Sequence, residues 1–127
     1  MYDTLIMLKP SASFSVDEML EVVQGVAATG DGSVERIGST IRLVTSAGHI
    51  EIVPNSSGYV IEESNEIAER FDIPCHGCAT RYEMSGEDAD MELFNDYLII
   101  NERLQELGRF VIFDSQECKL MFEDGAG

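Results

Sequence analysis

The sequence predicts an α+β fold in which a mostly antiparallel sheet is built from two βαββ-like halves. Three observations lead to this prediction. Short β-branched and aromatic runs alternate with turn residues, two longer segments carry apolar residues at helical spacing, and the order strand, helix, strand, strand occurs in residues 4–53 and again in 79–122. Strands joined by hairpins exclude an all-parallel sheet. We therefore expect two main helices on one face of the sheet and a short helix that connects the halves.

The first half begins with a short apolar run, residues 4–8, that is typical of a strand covered on both faces. Ser15 and Glu18 have the spacing of a capping box, in which each side chain bonds the backbone N–H of the other residue. Apolar residues then recur at helical spacing and predict the first main helix: Val16, Met19, Leu20, Val23 and Ala27. The β-branched pattern that follows predicts a hairpin of residues 41–45 and 50–53.

Between the halves, residues 59–61 are predicted as a strand because they are apolar and β-branched or aromatic. Residues 64–71 are predicted as the short connecting helix, with apolar side chains on one side: Ile67, Ala68 and Phe71.

The second half repeats the order of the first, with a strand at residues 79–84 and a long helix at 88–107. The helix is predicted from an apolar stripe at helical spacing, formed by Leu93, Tyr97, Ile100, Leu104 and Leu107. Gly108 is suited to end it. Residues 110–113 and 118–122 then predict a closing hairpin.

Length and composition indicate a single domain. With 127 residues, 44% of them hydrophobic, the chain can fill one core. We expect an α+β domain over residues 1–122 and a frayed acidic, glycine-containing tail over 123–127.

Charge restricts the partners of this chain. It has 24 Asp and Glu against 8 Lys and Arg, a formal net charge of −16. Such a surface repels phosphate backbones and anionic lipids, which excludes nucleic acid and membrane surfaces as partners. A basic protein or a cation is attracted instead. The acidic run at residues 87–92 lacks the spacing of a calcium loop and is predicted to favour the start of the long helix.

The location of the protein is predicted from what the sequence lacks. No apolar run has the length of a signal-peptide core or of a membrane-spanning helix. Three cysteines without framework spacing are typical of a reducing compartment. We expect a cytoplasmic protein.

A C-x-x-C motif, Cys75-His76-Gly77-Cys78, is the clearest candidate for chemistry. Two sulfurs at this spacing can chelate zinc or form a disulfide. Zinc needs four ligands, and the candidate set is Cys75, Cys78, Cys118 and His49. Buried thiols that only fill the core are the competing interpretation, and on that interpretation no cofactor is expected.

Other catalytic motifs are not found. The sequence has two histidines, no G-x-S-x-G turn and no phosphate-binding glycine loop. Elimination therefore favours a small, non-catalytic cytoplasmic module that binds a basic partner protein, as a bacterial immunity protein, antitoxin or secretion chaperone does. A zinc-stabilised or thiol-active domain is the alternative. Exposed sheet edges favour a homodimer, whereas the net charge opposes one.

Overall fold

The computed structural model describes residues 2–30, 32–46, 48–87 and 94–121. Within these ranges the chain forms strands and helices in the order β1 (Tyr2–Leu8), α1 (Val16–Ala27), β2 (Ser33–Ile37), β3 (Thr40–Thr45), β4 (Gly48–Asn55), α2 (Tyr59–Phe71), β5 (Arg81–Glu87), α3 (Phe94–Glu106), β6 (Phe110–Asp114) and β7 (Lys119–Leu120).

The strands form one open sheet in the order β2-β3-β4-β5-β1-β6-β7, and every neighbouring pair is antiparallel. The predicted α+β class and the antiparallel sheet are therefore confirmed. The first strand of the chain, β1, lies between β5 and β6 near the centre of the sheet. Strands from distant parts of the sequence thus share one hydrogen-bonded ladder.

Helices α1 and α3 lie on the same face because of the way the chain crosses the sheet. The segments β1-α1-β2 and β5-α3-β6 each join two parallel strands, and they cross toward opposite edges. Their starting strands, β1 and β5, are antiparallel. Connections between parallel strands of one sheet are almost always right-handed. A right-handed connection that starts from a strand of opposite direction and runs toward the opposite edge has its helix on the same face of the sheet. Both helices therefore lie on one side.

The larger core lies between these two helices and the sheet. Helix α1 begins as the sequence predicts: the Glu18 N–H donates to Ser15 Oγ at 3.1 Å, and Glu18 Oε1 accepts from the Ser15 N–H at 3.2 Å. The side chains that the two helices bury in this core are Met19, Val23, Val26, Tyr97, Ile100 and Leu104.

Helix α2 covers the opposite face, over β1 and β6. It contributes Ala68, with Ile67 and Phe71, to a second cluster that includes Met7 of β1 and Val111 of β6. Alternation along β1 explains the two cores, because Ile6 enters the first and Met7 the second, both with no exposed surface.

The prediction of a strand at residues 59–61 is wrong, because these residues form the first turn of α2. Val60, Ser64 and Ala68 are buried at helical spacing, and that burial outweighs the local β preference of the segment. The connecting helix has 13 residues, as many as the described part of α3.

Two other elements differ from the predictions. The segment after α1 contains three strands, since β2 precedes the predicted hairpin of β3 and β4. The closing strand β7 has only 2 residues. Two further predictions concern segments outside the described residues. One segment, residues 88–93, contains most of the acidic run and the predicted start of the long helix. The other is the predicted tail at 123–127.

No helix in the described part of the chain is long and apolar enough to cross a membrane.

A buried amide in the larger core gives a testable prediction about stability. Asn101 has no exposed surface; its Nδ2 donates to the Tyr97 carbonyl at 2.9 Å, while its Oδ1 has no hydrogen-bond partner among the described groups. An unsatisfied buried carbonyl costs free energy, so we expect Asn101→Leu to raise the free energy of unfolding by about 1 kcal/mol in urea denaturation. Asn101→Asp, which buries a charge, should lower it. A less stable Asn101→Leu protein would contradict this account of the amide.

Candidate functional site

The C-x-x-C motif forms a turn between α2 and β5 in which both cysteines are buried and His76 is exposed. Cys75 and Cys78 have no exposed surface and belong to the cluster beneath α2. The Cys75 thiol donates to the Ser64 carbonyl at 3.1 Å, and the Gly77 N–H donates to Asn65 Oδ1 at 2.8 Å. Gly77 has φ 78°, a conformation that a glycine adopts without strain. The turn is thus fixed to α2 at two points.

The surroundings of the two sulfurs keep them protonated. Burial, with a smaller effect of the neighbouring Cys78, raises the pKa of Cys75 to about 11. Burial also raises the pKa of Cys78, although the charge of Lys9 acts in the opposite direction. Because the thiolate is the nucleophile and the metal ligand, both thiols are in their unreactive form near neutral pH.

The structure does not bring the four proposed zinc ligands together. Cys118 is exposed in the turn before β7, and His49 is exposed on β4. Four strand spacings separate β4 from β7, which is about 19 Å at roughly 4.8 Å each. Within the described ranges no three His, Cys, Asp or Glu residues are grouped to hold a metal ion. The C-x-x-C spacing therefore supplies two neighbouring thiols without the other two proposed ligands.

Burial predicts unequal reactivity of the three thiols. In the folded protein at neutral pH, a disulfide reagent such as DTNB should modify Cys118 rapidly, and Cys75 and Cys78 only on unfolding. The measurement is the number of thiols modified before and after adding denaturant, with Cys118→Ser as the control that removes the fast phase. Rapid modification of Cys75 or Cys78 in the folded protein would contradict the burial of these two cysteines.

An ion-pair network around the buried Arg81, which the sequence did not predict, links β5 to α2. Arg81 is 4% exposed, and its guanidinium contacts Glu63 at 2.8 Å and Glu83 at 2.7 Å. Asn55 donates to the same Glu83 oxygen at 2.9 Å and also contacts the Tyr59 hydroxyl. The guanidinium lies 5.9 Å from the centre of the Tyr59 ring. The spacing of Arg81 and Glu83, two residues apart on one strand face, was the available sequence signal.

The network lowers the pKa of one of its carboxylates. Burial raises the pKa of Glu83, but hydrogen bonds from Asn55 and Arg81 and the charge of Arg81 outweigh it and hold the pKa below its ordinary value of 4.5. A carboxylate with a lowered pKa in the folded state stabilises the fold above the unfolded-state pKa. That stabilisation is lost as the pH falls through the folded-state pKa.

We therefore expect Glu83→Gln to be less stable than the wild type at neutral pH, and the difference to shrink below about pH 4.5. Urea denaturation across this pH range measures it. Glu62→Gln, on the exposed side of α2, controls for the loss of one negative charge. A difference that stays constant with pH would contradict the role of Glu83.

On the face that α2 partly covers, no described helix lies over strands β2, β3 and β4. Side chains of β2, β3 and β4 that point away from α1 and α3 form this surface, which we call the open face; Glu35, Ile37, Arg42, Glu51 and Val53 define it. Ile37 is 59% exposed and Val53 36% exposed, and Tyr59 at the start of α2 is 51% exposed. Large apolar side chains thus lie exposed on a surface that no described helix covers.

The open face and its border are acidic. Arg42 forms an ion pair with Glu51 directly across the β3–β4 ladder, and Glu35 lies opposite Arg42 in the β2–β3 register. The outward side of α2 adds exposed carboxylates at helical spacing: Glu62, Glu66 and Glu69. Glu35 and Glu51 therefore share the open face with Ile37 and Val53, while Glu62, Glu66 and Glu69 lie exposed on α2.

Two surface depressions lie elsewhere. One, of about 380 Å³, borders the second half of α2, and another, of about 370 Å³, lies between α1 and α3. Carboxylates, arginines and apolar side chains line both, and their described lining includes no histidine, cysteine or hydroxyl group. In this lining, neither depression pairs a nucleophile with a histidine base.

Comparison with protein-family models, curated proteins and solved structures found no match to this chain.

Proposed function

We propose that this chain is a non-catalytic interaction module that binds a basic protein through the open face, in the manner of an immunity protein, antitoxin or secretion chaperone. One observation carries the proposal: Ile37 and Val53 are exposed beside carboxylates on a sheet surface that no described helix covers, and Tyr59 is exposed at the start of α2. Exposed apolar side chains with a charged border are typical of protein-binding surfaces.

Charge supports a basic partner. A net charge of −16 attracts a basic protein over long range, and the acidic border of the open face orients it on contact. The apolar residues then supply the contacts that exclude water. Binding of this kind weakens as salt increases, because the attraction between exposed charges is screened over about 8 Å at physiological ionic strength.

Site-specific photocrosslinking in the native host tests this proposal. A photoreactive residue at Ile37 should give a discrete crosslinked product, whereas the same residue at Leu107, which is 43% exposed beside the end of α3, should not. Mass spectrometry then identifies the partner, which we expect to be basic. Equal crosslinking at the two positions would contradict binding at the open face.

The purified partner allows a matched comparison of charge. Glu35→Gln on the open face should weaken binding by about 2- to 5-fold, since exposed charge pairs contribute up to about 1 kcal/mol. Glu106→Gln removes the same charge from the end of α3 and should change the affinity less. Titration calorimetry at several salt concentrations measures both. A partner whose affinity is insensitive to salt and to Glu35→Gln would contradict the electrostatic part of the proposal.

A further inference from the structure

Strand β2 lies at one end of the sheet, so only one of its edges is paired with another described strand. At the other end, β7 has 2 residues and offers little free backbone. The 5 residues of β2 present an edge about 17 Å long, at roughly 3.4 Å per residue. In the described sheet β2 is therefore the longer free edge.

The turn between β2 and β3 determines which backbone groups this edge exposes. Ile37 pairs with Thr40 around Gly38 and Ser39, and Gly38 has φ 62° while Ser39 has no positive φ, as in a type II′ turn. The Ile37 carbonyl of such a turn accepts from the Thr40 N–H. Pairs along an antiparallel ladder alternate between bonded and non-bonded, so Glu35 and Ile37 bond to β3.

The backbone N–H and C=O groups of Val34 and Arg36 therefore point away from the sheet. The loop and cap hydrogen bonds of the described residues use none of them.

We propose that this edge accepts an extended segment of a basic protein as an added strand, antiparallel to β2. The inference rests on the proposed function and specifies how the partner is bound: main-chain hydrogen bonds give affinity, and alternate side chains give specificity.

The two faces of the edge favour different residues in the added segment. On the helix side, Arg36 forms an ion pair with Asp17 of α1, whose side chain is 81% exposed. On the open face, Glu35 is exposed. A lysine or arginine of the added strand is therefore favoured opposite Glu35, whereas opposite Arg36 it would meet a like charge, so an uncharged residue belongs at that position.

The register also specifies where apolar residues belong in the segment. Ile37 is 59% exposed, so an apolar residue opposite it removes the most apolar surface from water. Val34 packs against the larger core and extends that surface to the edge. The segment thus has an apolar residue opposite Ile37, a basic residue opposite Glu35 and an apolar residue opposite Val34.

A second copy of this chain is a poorer occupant of the same edge. If two copies of β2 pair antiparallel with Glu35 at the centre of the register, the two Glu35 carboxylates lie opposite each other. With Arg36 at the centre, the two Arg36 guanidiniums lie opposite each other. Like charges directly opposite each other are destabilising, and the net charge of −16 on each copy adds to the repulsion.

The probe is a synthetic peptide of about nine residues with the central sequence Val-Thr-Lys-Val, in the length range of ordinary strands. Its first valine is placed opposite Ile37, its lysine opposite Glu35 and its second valine opposite Val34. Titrated into the isotope-labelled full chain, it should shift the NMR signals of β2 and slow amide exchange at Val34 and Arg36. It should also give cross-strand contacts in the stated register. Shifts confined to other strands or helices would overturn the proposal.

A matched pair of variants tests the backbone contribution. Arg36→Pro removes an outward N–H, whereas Arg36→Thr removes the same side chain and keeps the N–H; proline is tolerated where its position faces away from the sheet. We expect Arg36→Pro to weaken peptide binding about tenfold or more relative to Arg36→Thr. Equal binding by the two variants would overturn strand addition. Circular dichroism and thermal unfolding establish that both are folded.

Charge exchange tests the register independently. Glu35→Lys should weaken binding of the lysine peptide, and a peptide with glutamate in that position should restore it. Failure of the exchange to restore binding would overturn the register.

If the peptide and the variants behave otherwise than expected while the crosslinked partner still binds the open face, strand addition fails and the proposed function stands. If sedimentation shows β2-dependent dimers, the edge serves a second copy instead.

Discussion

The pairing of β1 with β5 on one side and β6 on the other holds this structure together. Ile6 on one face of β1 contacts the core beneath α1 and α3, and Met7 on the other contacts the core beneath α2. Both cores therefore depend on one strand whose side chains alternate. Helices cover both faces of this part of the sheet, and β2, β3 and β4 extend from it with one face that no described helix covers. The open face is thus a consequence of where α2 lies.

Local patterns predicted the elements better than their arrangement. The capping box of Ser15 and Glu18 was identified correctly because every atom that it needs lies within one turn. Residues 59–61 were misread because their β preference is local, whereas the burial of Val60 depends on the sheet beneath it. The insertion of β1 between β5 and β6 joins residues too far apart for periodicity to connect.

The candidate sites show the same limit. A C-x-x-C spacing specifies two neighbouring sulfurs but not their exposure, and here the fold encloses both Cys75 and Cys78. Arg81 belongs to a strand that also carries Glu83, a pattern typical of a solvated surface, yet α2 covers it and supplies Glu63. The sequence predicted an acidic binding surface from composition alone. In the proposed function, the position of that surface depends on which part of the sheet the described helices leave uncovered.

The central position of β1 also determines the order in which the chain can fold during synthesis. Its two partner strands end at Glu87 and Asp114, so β1 emerges long before either is available. At about 5–20 residues per second, the interval between β1 and the end of β6 lasts roughly 5–20 s. The β2-β3-β4 meander, whose contacts are local, can form within that time. Until β6 arrives, the apolar side chains of β1 remain available to chaperones on the nascent chain.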